Sequence, residues 1–96
     1  LAVQGNAVAL KADGNTLAEG YNYFADASSN LSASLPAAAS VGDVVHVKAG
    51  NLTNDATLKI MPYAAQTIDG EANISLESPF AAVSLVYVVS GSWRIV

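Results

Sequence analysis

Few side chains in this sequence have the chemistry to act on another molecule. His46 is the only histidine, so a Ser-His-Asp relay would have to be built around it, with Asp43 three residues earlier and a serine from elsewhere. Such a relay needs an imidazole to take the hydroxyl proton and an acid to orient the ring. The supporting sequence is missing: no G-x-S-x-G elbow occurs, and Asp43 follows Gly42 as a turn residue does. Alternation places His46 on the outer side of its strand, beside Lys48. We therefore expect no catalytic residue and no enzymatic activity.

With one histidine and no cysteine the usual zinc sets are excluded, which leaves oxygen ligands alone. Asp13-Gly14-Asn15 matches the first fragment of a calcium loop but not the rest, so a β-turn is the expectation there, with no metal and no cofactor. The other acids, Glu19, Asp26, Asp55, Asp69, Glu71 and Glu77, fall in or near turns. Two of them could face each other as a glycosidase pair, which spacing along the chain cannot show, and a solvated loop carboxylate is the default. Sugar binding is the stronger chemical rival, because Tyr21, Tyr23, Phe24, Tyr63, Phe80, Tyr87 and Trp93 offer flat rings for stacking. Trp93 alternates with Ile95 and reads as core, its indole N–H reaching a backbone carbonyl. Tyr63 follows Pro62 in a loop and is the candidate ligand-stacking aromatic. Asn30, Asn51 and Asn73 begin glycosylation triplets, which carry no weight without a secretory signal.

These residues must be positioned by β-strands. Period-two alternation dominates, bounded by Gly, Asn, Asp, Ser and Pro clusters, and helical spacing is nearly absent. Strands are expected at 7–11, 21–26, 31–35, 43–49, 57–61, 73–77, 82–89 and 92–96. About eight short strands at this spacing predict an all-β fold, a small antiparallel sandwich or flattened barrel. Asp13-Gly14-Asn15 and Gly50-Asn51 supply turn residues that tolerate positive φ, and Ser90-Gly91-Ser92 closes a hairpin onto Trp93. Pro36 and Pro79 end the strands before them. The inward face comprises Leu31, Ala33, Leu35, Val45, Val47, Leu58, Ile60, Ile74 and Leu76.

The strand at 82–89 is different: Val83, Leu85, Tyr87 and Val89 fill one face, and Val86 and Val88 make the other apolar too. One face meets the opposing sheet. The other, with Ala82, Ser84, Val86 and Val88, is the candidate subunit interface, unless the chain's own loops cover it. Setting Pro36 over Pro79 also aligns Leu31 with Ile74 and Ser32 with Ser75, an echo that the common grammar of sandwiches explains as well as duplication does.

Ninety-six residues make a single domain, 1–96. The chain is 52% hydrophobic but only 12% charged, against roughly 25–35% charged residues on an ordinary solvated surface. Part of the surface is therefore expected to be covered, and partner chains are the simplest supplement to a small core without disulfides. A net charge of −4 argues against a nucleic-acid partner, which needs clustered cations. The longest apolar run, 80–89, is interrupted by Ser84 and is far short of the ~20 residues of a membrane-spanning helix, so no membrane partner is expected. No signal peptide is visible. The chain starts at Leu1 rather than methionine, and an N-terminal anchor or stalk is expected to precede it.

Three segments carry a family resemblance. The opening L-A-E-G-Y-N-Y-F-A-D-A-S-S-N from Leu17, the L-P-A at Leu35 with V-G-D-V-V-H-V-K after it, and the closing stretch from Gln66 with T-I-D-G, V-S-L-V and W-R-I-V occur in that order. Together they resemble the small β-structured domains of tailed-phage virion proteins. The resemblance implies a non-enzymatic structural protein of the capsid decoration (cement), head-fibre or tail-fibre type, located on the virion surface. It implies assembly as a homo-oligomer, often a trimer, with the major capsid or fibre protein as further partner. The rival expectation is a receptor- or glycan-binding module at a fibre tip or cell surface, with a host-surface glycan as ligand.

Overall fold

A computed structural model describes residues 8–96. Ala7, the expected start of the first strand, and the expected anchor ahead of Leu1 lie outside the described residues. Ten strands are formed: β1 Val8–Lys11, β2 Asn15–Thr16, β3 Gly20–Phe24, β4 Leu31–Ser34, β5 Val44–Lys48, β6 Leu58–Met61, β7 Thr67–Ile68, β8 Ile74–Leu76, β9 Ala82–Val89 and β10 Ser92–Ile95. The eight expected strands are all among them, and the two extra ones, β2 and β7, span two residues each, too short for any alternation to announce.

The strands form two sheets, one of six in the order β1-β3-β5-β9-β10-β7 and one of four in the order β2-β4-β6-β8. The all-β, two-sheet class is as the sequence predicts, but the pairing sense differs over the first two thirds of the chain. From β1 to β6 successive strands alternate between the sheets, and within each sheet they pair in parallel: β1 with β3, β3 with β5, β2 with β4, β4 with β6. The chain thus winds in three turns of a two-sheet coil. Among the described strands, antiparallel pairing joins β5 to β9, β9 to β10 and β6 to β8, and β7 rejoins the large sheet parallel to β10. Alternation cannot reveal this, because parallel and antiparallel strands share the period of two. Among the described residues the single tight hairpin is the expected one, between β9 and β10, with Gly91 at φ 82°.

Polar turn residues join successive turns of the coil. The Asp13 carboxylate accepts from the Ser32 amide (2.8 Å), Asp26 from the Asn51 amide (2.8 Å), and the Asn30 side-chain oxygen from the Thr57 amide (3.0 Å). Each satisfies a backbone N–H that the corner withdraws from the sheet ladder. Gly14 takes positive φ as expected, but Gly50 is needed for a different reason. A Cβ there would lie 2.7 Å from Phe24 O, Ala25 C and Asp26 N, so the glycine lets two turns of the coil touch backbone to backbone.

The core lies between the sheets. Val45, Val47, Leu85, Ile68 and Trp93 from the large sheet meet Ala33, Leu58 and Ile60 from the small one, with Leu35 just beyond β4. Leu31, Ile74 and Leu76, expected in the core, are partly buried at its margin. Trp93 is fully buried, as expected, but its indole N–H donates to the Gln66 side-chain oxygen (3.3 Å) rather than to a backbone carbonyl. Gln66 also donates to the Tyr87 hydroxyl (3.4 Å), which in turn accepts from the Gly91 amide (2.7 Å). The T-I-D-G turn is therefore tied to the tryptophan strand twice, through Ile68 paired with Trp93 and through the Asp69 carboxylate accepting from the Ile95 amide (3.2 Å). The aligned segments around Pro36 and Pro79 are not repeats of one unit: β4 and β8 lie on opposite sides of β6, which pairs in parallel with the first and antiparallel with the second.

Candidate functional site

The outer face of the six-stranded sheet is built by the residues that alternate with the core. In β3, Gly20, Asn22 and Phe24 are buried while Tyr21 and Tyr23 are exposed. Pairing with β5 and β9 arranges the outward residues in rows across the strands. Tyr21 lies opposite His46, and His46 opposite Ser84; Tyr23 lies opposite Lys48, and Lys48 opposite Ala82; Val44 lies opposite Val86, and Val86 opposite Arg94. The first two rows enclose a cleft of about 520 Å³, with Asn22, Val47 and Val83 also lining it.

Asn22 fixes the floor of this cleft. It is the buried polar side chain of the described core, and both its oxygen and its nitrogen are hydrogen-bonded. Its oxygen accepts from the Ala18 amide (2.8 Å), and its nitrogen donates to the carbonyls of Ala18 (2.8 Å), His46 (3.1 Å) and Gly20 (3.3 Å). One amide thus ties the turn entering β3 to the backbone of β5 beneath the two tyrosines. Above it, the Tyr21 and His46 rings stack with centroids 4.3 Å apart and planes 15° off parallel, and His46 Nδ1 is 2.7 Å from Ser84 Oγ.

His46 and Ser84 are thus brought together, as a relay would require, but the acid is not. The Asp43 carboxylate accepts from the Ser40 amide (2.9 Å) and closes the turn into β5, and among the described residues no carboxylate is hydrogen-bonded to the ring. Among the described residues, no three His, Asp or Glu side chains gather in a group suited to a metal ion. No helix among the described residues is long and apolar enough to cross a membrane. Asp13, the start of the calcium-loop fragment, spends its carboxylate on Ser32.

The four candidate interface residues all lie on the outer side of β9, but they divide. Ala82 and Ser84 line the cleft, while Val86 and Val88 lie toward the other end of the strand. Val88 is 38% exposed and Val86 half-buried, so nothing within the described chain covers this face completely. Val89, expected on the inner side, is 55% exposed at the hairpin end of β9, where it pairs with Ser92 beyond a register shift between Ser92 and Trp93. Tyr63 is exposed, as expected, but does not line the cleft. Tyr21, Tyr23 and Lys48 are the site residues that sequence reasoning did not assemble. Each alternates outward in its own strand, but their meeting depends on the parallel register of β3 and β5.

Phe80 stands at the Lys48 end of the cleft, two residues before Ala82. Its ring is 56% exposed on a backbone at φ 59°, a conformation costly for a bulky side chain. The backbone is clamped there: its amide donates to Gly50 O (2.8 Å), its carbonyl accepts from Lys48 Nζ, and that ammonium lies 6.0 Å from the ring centroid.

No protein-family model matches the chain, and no curated protein matches it.

Proposed function

We propose that this chain is a non-enzymatic virion structural domain of the capsid decoration or fibre type, assembling as a homo-oligomer, a trimer, on the surface of a phage particle and against its major capsid or fibre protein. The observation that carries the assembly reading is β9, a central strand of the large sheet whose outward side chains Val86 and Val88 are apolar and incompletely covered. Leu10, Tyr21 and Tyr23 extend exposed apolar surface across the same sheet. With 12% charged residues, the chain has little polar surface with which to mask it.

The shape agrees with this reading. The molecule is flattened, with extents of 38 × 36 × 21 Å, and its broad face has room for the ~800 Å² per partner of a standard interface. The phage assignment rests on the ordered motifs of the sequence, several of which have structural work in this fold. The T-I-D-G turn closes onto Trp93, and the V-S-L-V segment supplies both the core residue Leu85 and the outward Val86.

Sedimentation velocity of the purified domain at micromolar concentration tests the reading. We expect an oligomer for the wild type and monomer for Val86→Asp, which places a charge where the partner would desolvate it. A wild-type protein that is monomeric throughout, with no binding to capsid or tail, would sink the assembly reading. A map of an intact particle lacking the domain on its surface would remove the virion assignment.

A further inference from the structure

The cleft between the tyrosine rows has a width set by the strand itself. Residues two apart on a strand are separated by ~6.6 Å, about the room one ring needs for contact of ~3.5 Å on each side. The rows Tyr21–His46–Ser84 and Tyr23–Lys48–Ala82 are so spaced, and the small side chains of Ala82 and Ser84 leave the β9 side open. Several polar atoms at the cleft are already engaged, Ser84 Oγ by His46, Lys48 Nζ by the Phe80 carbonyl and the Asn22 amide by backbone, which leaves the Tyr21 and Tyr23 hydroxyls at the rim and the second ring nitrogen of His46. No carboxylate lines it. With Ala82, Val47, Val83 and two tyrosine rings around it, the hollow serves an apolar ring better than a sugar, whose many hydroxyls need a partner each.

Beside this cleft the chain holds such a ring out into water. The Phe80 backbone is pinned from both sides in a conformation that disfavours a large side chain, and the described chain leaves more than half of the residue exposed. Glycine would relieve the backbone, so the phenylalanine is retained there at a cost to the isolated domain. We infer that the Phe80 ring of one copy seats in the Tyr21–Tyr23–His46 cleft of a second copy, as the anchor of the self-association proposed above, on which this inference rests. A projecting ring beside a matching hollow lets each copy give its ring to one neighbour and receive a ring from another, the head-to-tail contact that a closed trimer uses. A central aromatic in a desolvated pocket is also the usual form of a dominant contact.

The test is sedimentation velocity over a micromolar concentration series with wild type, Phe80→Gly, Ala82→Leu and Val86→Asp, each checked for folding by circular dichroism and thermal melting. Phe80→Gly removes the ring and Ala82→Leu fills the hollow, and each should weaken self-association about tenfold or more. The double variant should be no weaker than the worse single one, because both remove the same contact. Phe80→Gly should also leave the monomer as stable as wild type or raise its Tm, since the backbone is relieved. That combination of weaker assembly with an equally stable or firmer fold is not produced by a merely structural residue. If wild type assembles and Val86→Asp abolishes assembly, yet both cleft variants stay within about twofold of wild type, the Phe80 inference falls and the assembly reading stands. If wild type is monomeric, both fall.

Discussion

Replacing Asn22 by alanine should be the most damaging truncation of a polar side chain in the large sheet. Three of its hydrogen bonds are 2.8, 2.8 and 3.1 Å long and the fourth is 3.3 Å, all at 1% exposure. At about 1 kcal/mol net for each short bond, with up to ~1 kcal/mol more for the part-buried Ala18 amide left without its partner, the loss is about 3–4 kcal/mol. Small domains have about 5–15 kcal/mol in all. At roughly 4–8 °C per kcal/mol for this size, Tm should fall by at least about 12 °C.

Urea titration followed by far-ultraviolet circular dichroism measures this directly, with the midpoint expected to fall at constant slope. Asn22→Asp provides the internal control. Its carboxylate retains an acceptor for the Ala18 amide but faces three carbonyl oxygens, which favours the protonated form and raises the folded-state pKa above the unfolded ~3.9. A raised folded pKa gives stability that is fully present below the unfolded value and is lost as pH rises through the folded one. Asn22→Asp should therefore gain stability relative to wild type on acidification toward pH ~4. A loss under ~1 kcal/mol for Asn22→Ala, or an Asn22→Asp variant indifferent to pH, would refute the idea that this amide holds β3 to β5.

Three further outcomes follow from particular contacts. Gly50→Ala forces a methyl group against backbone of residues 24–26, which has no flexible end to yield, and should cost about 1–3 kcal/mol in a denaturant melt; a neutral result would mean that the two turns of the coil do not touch there. Gln66→Leu strands the indole N–H of the fully buried Trp93 and should cost about 1–3 kcal/mol with a shift in tryptophan emission, whereas unchanged emission and stability would count against the Gln66 bridge. On a glycan array the domain should show no binder that depends on Tyr63. A glycan signal lost in Tyr63→Ala would favour the receptor-binding alternative.

Strand positions were legible because each depends on local alternation: the GYNYF run of β3 and the VVHVK run of β5 bury every second residue wherever their neighbours lie. The outward, doubly apolar side of β9 was legible for the same reason. Pairing was not, since whether β5 runs with β3 or against it is decided by how the corners at 25–30 and 49–57 turn the chain, and those corners are held by single contacts such as Asp26 to Asn51. The cleft inherits that limit, because Tyr21 and His46 stand 25 positions apart in sequence and stack only in the parallel register. Asn22 was hidden by its type: between two tyrosines in a strand it reads as a surface residue, and its burial makes sense only with the carbonyls of Ala18 and His46 in place.

The position of β9 has a consequence for how the chain is made. It comes late in sequence yet lies between β5 and β10 inside the large sheet. During synthesis β5 therefore emerges with one edge unpaired, and that edge stays open until residue 89 follows. At about 5–20 residues per second, the roughly 40 residues from Lys48 to Val89 take on the order of 2–8 s. For that interval a nascent chain offers a Val-rich strand with free backbone donors and acceptors, and another nascent copy on the same message is the nearest strand that could occupy it. The long strand that completes the sheet thus also ends the interval in which that edge of β5 is bare.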